Sequence, residues 1–310
     1  MAEVSLRETY GKTLADMGKS NPDIVVLDAD LSKSTMTQFF ARAFPGRFFD
    51  VGIAEQNLIC IAAGLAASGK IPFASTFAVF APGRCFDQIR MSVAQPGHNV
   101  KIVTTHGGIT VGEDGITHQA IEDLSLICSL PGFTVIVPAD SVETDQAVRT
   151  AAVHKGPVYI RLPRLKLPVI FDQNYHFELG KAVELKPGKD VTVIAIGVMV
   201  SPALEAAASL QQEGIGCRVI DMSTLKPIDE NAIVKAAAET GAIVTAEEHL
   251  LHGGLGSEVA QVVGKYRPVP LEFIALHNYA QSGKPEQLLQ RYGLTSAEII
   301  KAVKAVIARK

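Results

Sequence analysis

Short apolar runs alternate with amphipathic stretches along most of the chain. The apolar runs are rich in β-branched residues and are typical of buried strands, whereas the stretches between them have helical spacing. Buried strands separated by helices favour a parallel sheet that is covered by helices on both faces. The predicted strands of the first part are residues 23–30, 71–75, 101–106 and 134–140, and the predicted helices are 7–19, 55–69, 84–93 and 141–154.

A polar stretch rich in Lys, Gln, Asn and Gly interrupts this alternation at residues 171–190. After it the same pattern returns, with strands predicted near 191–197, 216–223 and 242–249. We therefore predict an α/β protein with two doubly wound domains. The first domain is expected at residues 1–170, a linker at 171–190 and a smaller second domain at 191–310.

Composition excludes several classes of partner. The chain has 310 residues, of which 47% are hydrophobic and 20% are charged, and its net charge is −3. This charge gives no reason to expect a nucleic acid or an anionic membrane as partner. The apolar runs are shorter than the ~20 residues of a membrane span, and the first residues contain no apolar signal core, so we expect a cytoplasmic protein. The four cysteines lack metal-ligand spacing and are expected to be reduced thiols.

One carboxylate, Glu55, begins a helix that is otherwise built for burial. Leu58, Ile59 and Ala62 follow it, and a charge placed among such residues is costly unless it is paired. One interpretation is a glutamate that favours the helix N-terminus. The other is a carboxyl group held in place to hydrogen-bond a ligand.

A glycine-rich loop follows the predicted strand at 101–106 and carries His106, Asp114 and His118. Ligands of open α/β sheets bind beyond the carboxyl ends of the strands, which is where this loop is expected. Its glycines suggest close approach to a ligand, although a hydrated surface turn would have a similar composition. Its histidines and acids match no zinc spacing, so we predict no metal site within this chain.

Two long motifs resemble the pyrimidine-binding domain of transketolases: DVGIAEQNLICIAAGLAASGKIPFASTFAVF at 50–80 and GEDGITHQAIEDLSLICSLPGFTVIVPAD at 112–140. EEHLLHGGLGSEVAQVV at 247–263 and SGKPEQLLQRYGLT at 282–295 resemble the family's C-terminal domain. The family's N-terminal domain, whose Gly-Asp-Gly and downstream Asn hold a divalent metal and the cofactor diphosphate, has no counterpart here. The resemblance therefore implies the C-terminal half of a split transketolase.

The resemblance also implies the cofactor and the partners. Thiamine diphosphate and Mg²⁺ are expected, with the metal and the diphosphate held mainly by a separate N-terminal-type subunit. A heterotetramer is the expected assembly, in which this chain also associates with itself as a dimer. Alone, the chain is expected to be inactive.

The resemblance assigns cofactor contacts to three residues. Glu55 is expected to hydrogen-bond the pyrimidine nitrogen, and Phe77 and Phe80 to stack on the pyrimidine ring. Spacing alone favours core packing for the two phenylalanines, and the resemblance reverses that order. A further Tyr is common in the family a few residues later, but residues 81–84 of this chain are APGR, so the group that completes the pocket is open.

Substrate contacts follow from the same resemblance. His106, Asp114 and His118 match positions that contact the sugar hydroxyls and the reacting two-carbon unit, and His106 and His118 are the expected catalytic residues beside Glu55. Arg7, Ser34 and Arg164 match residues that bind the sugar phosphate. Pro163 and Ile116 depart from the Ser and Pro that are usual in the family, which could shift substrate preference.

The sequence thus predicts a transketolase subunit that transfers a two-carbon ketol group from a ketose phosphate to an aldose phosphate, as in the pentose phosphate pathway. The alternatives are a subunit similar to 1-deoxyxylulose-5-phosphate synthase, one similar to the beta subunit of 2-oxoacid dehydrogenases, or a non-catalytic regulatory subunit. In the second domain, the glycines at 253–256 are interpreted as a tight strand–helix turn, and His249 and His252 as structural residues.

Overall fold

The computed structural model describes residues 3–310, which form an α/β fold in two parts. The elements of the first part are β1 (Glu3–Ser5), α1 (Leu6–Ser20), β2 (Ile24–Asp28), α2 (Ser32–Thr35), α3 (Gln38–Ala43), β3 (Phe48–Asp50), α4 (Glu55–Ala67), β4 (Ile71–Phe77), α5 (Ala81–Gln88), β5 (Lys101–Thr105), α6 (Asp123–Cys128), β6 (Thr134–Ile136), α7 (Ser141–Val153), β7 (Val158–Arg161) and β8 (Lys166–Pro168). The elements of the second part are β9 (Val183–Lys186), β10 (Val191–Ala195), α8 (Val200–Gln212), β11 (Cys217–Asp221), β12 (Thr224–Lys226), α9 (Glu230–Thr240), β13 (Ile243–Leu250), α10 (Leu255–Tyr266), β14 (Leu271–Leu276), α11 (Pro285–Arg291) and α12 (Ser296–Ile307).

The first sheet has seven strands in the order β12-β6-β7-β5-β4-β2-β3, and only β12 is antiparallel to its neighbour. Every residue of β2, β5 and β7 is buried, as expected for parallel strands covered on both faces. The predicted α/β class is therefore confirmed. Because the strands run parallel, the carboxyl ends of β4, β5 and β7 meet at one edge, where the candidate site lies.

The second sheet has the order β14-β13-β10-β11-β9, with β9 antiparallel at its edge. The hydrophobic pattern did not predict two of the strands, and one of these two joins the parts. The β9 strand forms within the polar stretch, and β12 leaves the second part to pair with β6 of the first sheet. The domain boundaries themselves stay a prediction. No helix within residues 3–310 is long and apolar enough to cross a membrane.

Two helices place side chains at the edge of the first sheet. The hydroxyl of Ser5 accepts a hydrogen bond from the backbone N–H of Glu8, which caps α1 and sets Arg7 in its first turn. Helix α4 buries Leu58, Ile59 and Ala62 against the sheet. Burying each large aliphatic side chain contributes about 1.5–3 kcal/mol to folding, which fixes the N-terminus of α4 at the site.

Candidate active site

The candidate site collects side chains from four places along the first part of the chain. Phe77 is the last residue of β4, and His106 directly follows β5. Glu55 is the first residue of α4, and Arg164 follows β7. The two neighbouring strands β4 and β5 are in register at Phe77 and Thr105, which brings Phe77 beside His106.

Glu55 is only 3% exposed, yet its carboxylate does not cap its own helix. Its Oε2 atom accepts a hydrogen bond of 2.8 Å from Nη1 of Arg84, whose side chain is half-exposed. Within the described residues, Oε1 of Glu55 has no such partner. The carboxyl group is thus oriented by one ion pair and keeps one oxygen for a further contact.

Four rings form a continuous cluster beside this ion pair. The Phe77 ring stacks on the His106 ring at a centroid distance of 3.8 Å and on the Phe80 ring at 5.7 Å. His118 presents its ring to Phe80 edge-on at 5.4 Å. The guanidinium carbon of Arg84 lies 4.5 Å from the centre of the Phe80 ring, which joins the cluster to Glu55.

His106 is held in an unusual backbone conformation with φ of 64°, which is uncommon for a residue other than glycine. Its Nδ1 atom lies 2.8 Å from the hydroxyl of Thr105. Burial, with smaller contributions from Arg7, Arg164 and His118, lowers the pKa of His106 to about 3. The imidazole is therefore neutral at physiological pH, and its Nε2 atom is available to a ligand.

Two arginines, Arg7 and Arg164, lie together beside the glycine-rich loop at 106–118. Arg7 donates from Nη1 to the backbone oxygen of Ser34 at 2.6 Å and from Nη2 to that of Arg164 at 3.1 Å. Its buried Nε atom has no partner within the described residues. Burial and the nearby Arg164 both lower the pKa of Arg7. Within residues 3–310 Arg7 forms no ion pair, whereas Nη1 of Arg164 lies 3.6 Å from Asp114 and 3.8 Å from Glu113. A partly buried cation without an acidic partner is typical of an anion site.

Arg164 donates from Nη1 to the backbone oxygen of Val111 at 2.5 Å, and the same atom lies 3.6 Å from a carboxylate oxygen of Asp114. Both arginines line a groove of about 310 Å³. Its other lining residues are Ser5, Thr110, Glu113, Leu165, Lys166 and Pro285. The structure thus brings Asp114 to the arginines, whereas Ser34 approaches Arg7 through its backbone oxygen.

The loop at 106–118 is shaped by glycines, as its composition suggested. Gly108 has φ of 82°, and a Cβ atom placed there would lie within 2.3 Å of the Glu248 carboxyl group. In residues 3–310, no three His, Cys, Asp or Glu side chains are grouped so that they could hold a metal ion. The loop is thus closely packed at Gly108, whereas Asp114 and Ile116 are exposed.

Sequence reasoning missed two kinds of residue at this site. Arg84 belongs to residues 81–84, where the sequence did not identify the group that completes the pyrimidine pocket. Its ion pair with Glu55 was not expected. Glu248, Gln281 and Ser282 of the second part contact the loop, and no local pattern marks them. The motifs at 247–263 and 282–295 contain Glu248 and Ser282, so only the family resemblance pointed near them.

Comparisons with known proteins agree with this geometry. The family model for the transketolase pyrimidine-binding domain matches residues 2–169, and the model for the transketolase C-terminal domain matches residues 180–299. A putative transketolase C-terminal section from Methanocaldococcus jannaschii is 46% identical over 96% of this chain and 95% of its own length. The 6-deoxy-6-sulfo-D-fructose transketolase subunit SqwH from a Clostridium species is 44% identical over 98% of this chain and 95% of its own.

A solved structure described as a split gene transketolase, inactive beta4 tetramer, superposes with a TM-score of 0.93. It is 52% identical to this chain, with 98% of this chain and 99% of that chain covered. These relatives favour none of the three alternatives raised by the sequence. The chain therefore belongs to the transketolase family, as a subunit equivalent to the C-terminal section of a split transketolase.

Proposed function

We propose that this chain supplies the pyrimidine-binding and substrate-binding half of a thiamine-diphosphate-dependent transketolase. The enzyme would transfer a two-carbon ketol unit from a ketose phosphate to an aldose phosphate. The observation that carries the proposal is one continuous site, in which the ion-paired Glu55 adjoins the rings of Phe77, Phe80 and His106, and two arginines lie along the same loop.

The residues present fit the aminopyrimidine of thiamine diphosphate. Glu55 is 3% exposed as a residue and offers one carboxylate oxygen without a partner in residues 3–310, which suits a ring nitrogen that bears a proton. Phe80 offers an aromatic face that now carries the planar guanidinium of Arg84. A flat, nitrogen-rich ring is chemically similar to that guanidinium, so the same surface can accept it.

When bound, thiamine diphosphate would supply the carbon nucleophile that ketol transfer requires. The residues of this chain would bind the pyrimidine and the sugar and would hold or move protons. Glu55 would hold a proton at the pyrimidine nitrogen, and Phe77 and Phe80 would exclude water from it. Neutral His106 would accept a hydrogen bond from a substrate hydroxyl at Nε2, and His118 and Asp114 would fix the sugar in the same loop.

The arginine groove would bind the anionic end of the sugar. Arg7 and Arg164 line the groove together with Lys166, and their planar guanidinium groups match the oxygens of a phosphate. One relative is named for a sulfo sugar, and a sulfonate presents the same three oxygens. The groove fits either anion, and we propose phosphate as the substrate group.

A separate N-terminal-type subunit would complete the enzyme. It would hold Mg²⁺ and the diphosphate, as the family resemblance implies. The similar split-gene protein forms a beta4 tetramer that is described as inactive, which supports self-association of this chain without activity. We place the assembled enzyme in the pentose phosphate pathway and in the cytoplasm.

A coupled assay tests the proposal. Ketol transfer from xylulose 5-phosphate to ribose 5-phosphate is measured with thiamine diphosphate and Mg²⁺, for this chain, for an N-terminal-type subunit and for the mixture. Activity in the mixture alone supports the proposal. Activity of this chain alone contradicts the need for a partner, and an inactive mixture that forms a stable complex contradicts the proposed reaction.

A further inference from the structure

The substrate-binding loop is held from outside its own domain. The backbone N–H of Thr110 donates a hydrogen bond of 2.7 Å to Oε1 of Glu248, which belongs to β13 of the second sheet. Glu248 is 2% exposed, and the loop passes so close that Gly108 has no room for a side chain. A buried carboxylate is thus committed to one backbone amide of the loop.

Arg161 reinforces this attachment at the other end of the loop. It is buried at the end of β7, where Nε donates to Asp123 at 2.9 Å. Its Nη2 atom donates both to the backbone oxygen of Ala120 at 2.9 Å and to that of Glu248 at 3.0 Å. One guanidinium therefore joins the exit of the loop to the strand that carries Glu248.

The segment after β14 adds two further contacts to the loop. The hydroxyl of Ser282 donates to the backbone oxygen of Glu113 at 2.6 Å, and the amide of Gln119 donates to the backbone oxygen of Gln281 at 3.0 Å. The loop is thus held at its beginning, middle and end by residues of the second part. Its own glycines leave it few conformational restraints, so these contacts restrain its shape together with the bond from Arg164 to the Val111 oxygen.

We propose that Glu248 is a positioning residue, through which the C-terminal domain sets the geometry of the loop that carries His106, Asp114 and His118. The inference rests on the role proposed above for that loop, and it gives the second domain a part in the reaction. A displacement of about 1 Å in such a loop can cost on the order of 100-fold in rate, so a single hydrogen bond at Thr110 matters for turnover.

Glu247 provides a matched control for Glu248. It is the preceding residue of the same strand, it is buried to the same degree, and its carboxylate also accepts backbone N–H groups. These N–H groups belong to Leu255 and Gly256 at the start of α10, away from the loop. A merely structural role for a buried carboxylate would therefore affect both residues alike.

The test compares Glu248→Ala, Glu248→Gln and Glu247→Ala in the full chain. Hydrogen exchange of the backbone amides at 108–113 is measured on this chain alone. The KM for the donor, kcat and the affinity for thiamine diphosphate are measured on its complex with the partner subunit. We expect Glu248→Ala to speed exchange in the loop at least tenfold and to lower kcat/KM about tenfold or more. Cofactor affinity should stay unchanged, and Glu248→Gln should retain most activity because its amide oxygen can still accept from Thr110.

Glu247→Ala should lower the melting temperature but leave loop exchange and kinetics within twofold of the wild type. Equal effects of the two alanine variants on loop exchange and kcat/KM would overturn the proposal. If Glu248→Ala does not fold, Glu248→Asp replaces it, because the shorter side chain withdraws the carboxylate from the Thr110 amide, and unchanged loop exchange in Glu248→Asp would overturn the proposal. An inactive wild-type complex would contradict the proposed function, whereas loop exchange would still decide the role of Glu248.

Discussion

Arg84 binds Glu55 and Phe80 at the same time, with Nη1 2.8 Å from the Glu55 carboxylate and the guanidinium carbon 4.5 Å from the centre of the Phe80 ring. These are two of the groups that the proposed cofactor pyrimidine would contact. The arginine side chain is 47% exposed, so it can swing into solvent at little cost. In the free chain Arg84 thus occupies both groups, and we expect it to compete with the proposed cofactor for them.

Replacing Arg84 by Ala should tighten thiamine diphosphate binding. The competing ion pair is half-exposed and is worth about 1 kcal/mol, which corresponds to about a fivefold lower Kd. The measurement is a calorimetric titration of the complex with the partner subunit. Arg90→Ala, which removes an exposed arginine paired with Asp87, is the control and should leave the Kd unchanged. Weaker binding by Arg84→Ala would show that the arginine supports the cofactor.

The Glu55→Gln variant should lose most ketol transfer. Gln keeps the size of the side chain but cannot hold the proton that the proposed mechanism requires, and such groups contribute about 100-fold or more to rate. The readout is kcat in the coupled assay, with complex formation followed by size-exclusion chromatography. Glu205→Gln, on the exposed face of α8, should retain full activity. Turnover by Glu55→Gln within threefold of the wild type would contradict the assignment.

Arg164→Gln should weaken recognition of the phosphate group. One charge-assisted contact contributes about 1.5–3 kcal/mol, so KM for xylulose 5-phosphate should rise on the order of 10–100-fold. The KM for erythrulose, a ketol donor without a phosphate, should change less than threefold. Arg149→Gln removes an exposed arginine on α7 and should alter neither constant. Equal increases in KM for both donors would show that Arg164 supports the structure of the loop rather than the phosphate group.

His106 should remain neutral over the physiological pH range. Its pKa of about 3 in the folded chain lies below the value of about 6.5 expected in the unfolded chain, so the unfolded chain binds more protons between these values. His106 therefore lowers the free energy of unfolding as the pH falls from 6.5 towards 3. Above pH 6.5 it has no effect of this kind on stability. An NMR titration of the ring should show no midpoint above pH 5, whereas a midpoint near 6.5 would contradict the burial of this histidine.

Much of the architecture was predictable because it is encoded locally. The apolar run at 71–75 became β4, the β-branched run at 101–106 became β5, and the small-residue stretch after Glu55 became α4. These elements bring Phe77, Phe80, His106 and His118 together, as the resemblance implied. Their catalytic and binding roles remain predictions.

The contacts that could not be predicted join distant parts of the chain. Glu248 is 138 residues from Thr110 along the sequence, and Ser282 is 169 residues from Glu113. Hydrophobic periodicity reports the exposed and buried faces of one element and carries no information about such pairs. The pairing of β12 with β6 was missed for the same reason, since it depends on how the two parts pack.

The dependence of activity on a second subunit is the central claim, and a stoichiometric titration tests it most directly. A fixed amount of this chain, with thiamine diphosphate and Mg²⁺, is titrated with an N-terminal-type subunit while transfer from xylulose 5-phosphate to ribose 5-phosphate is recorded. The account predicts no activity at zero partner, followed by a rise that saturates at one partner per chain. Full activity without the partner, or a stable complex that stays inactive at every ratio, would contradict it.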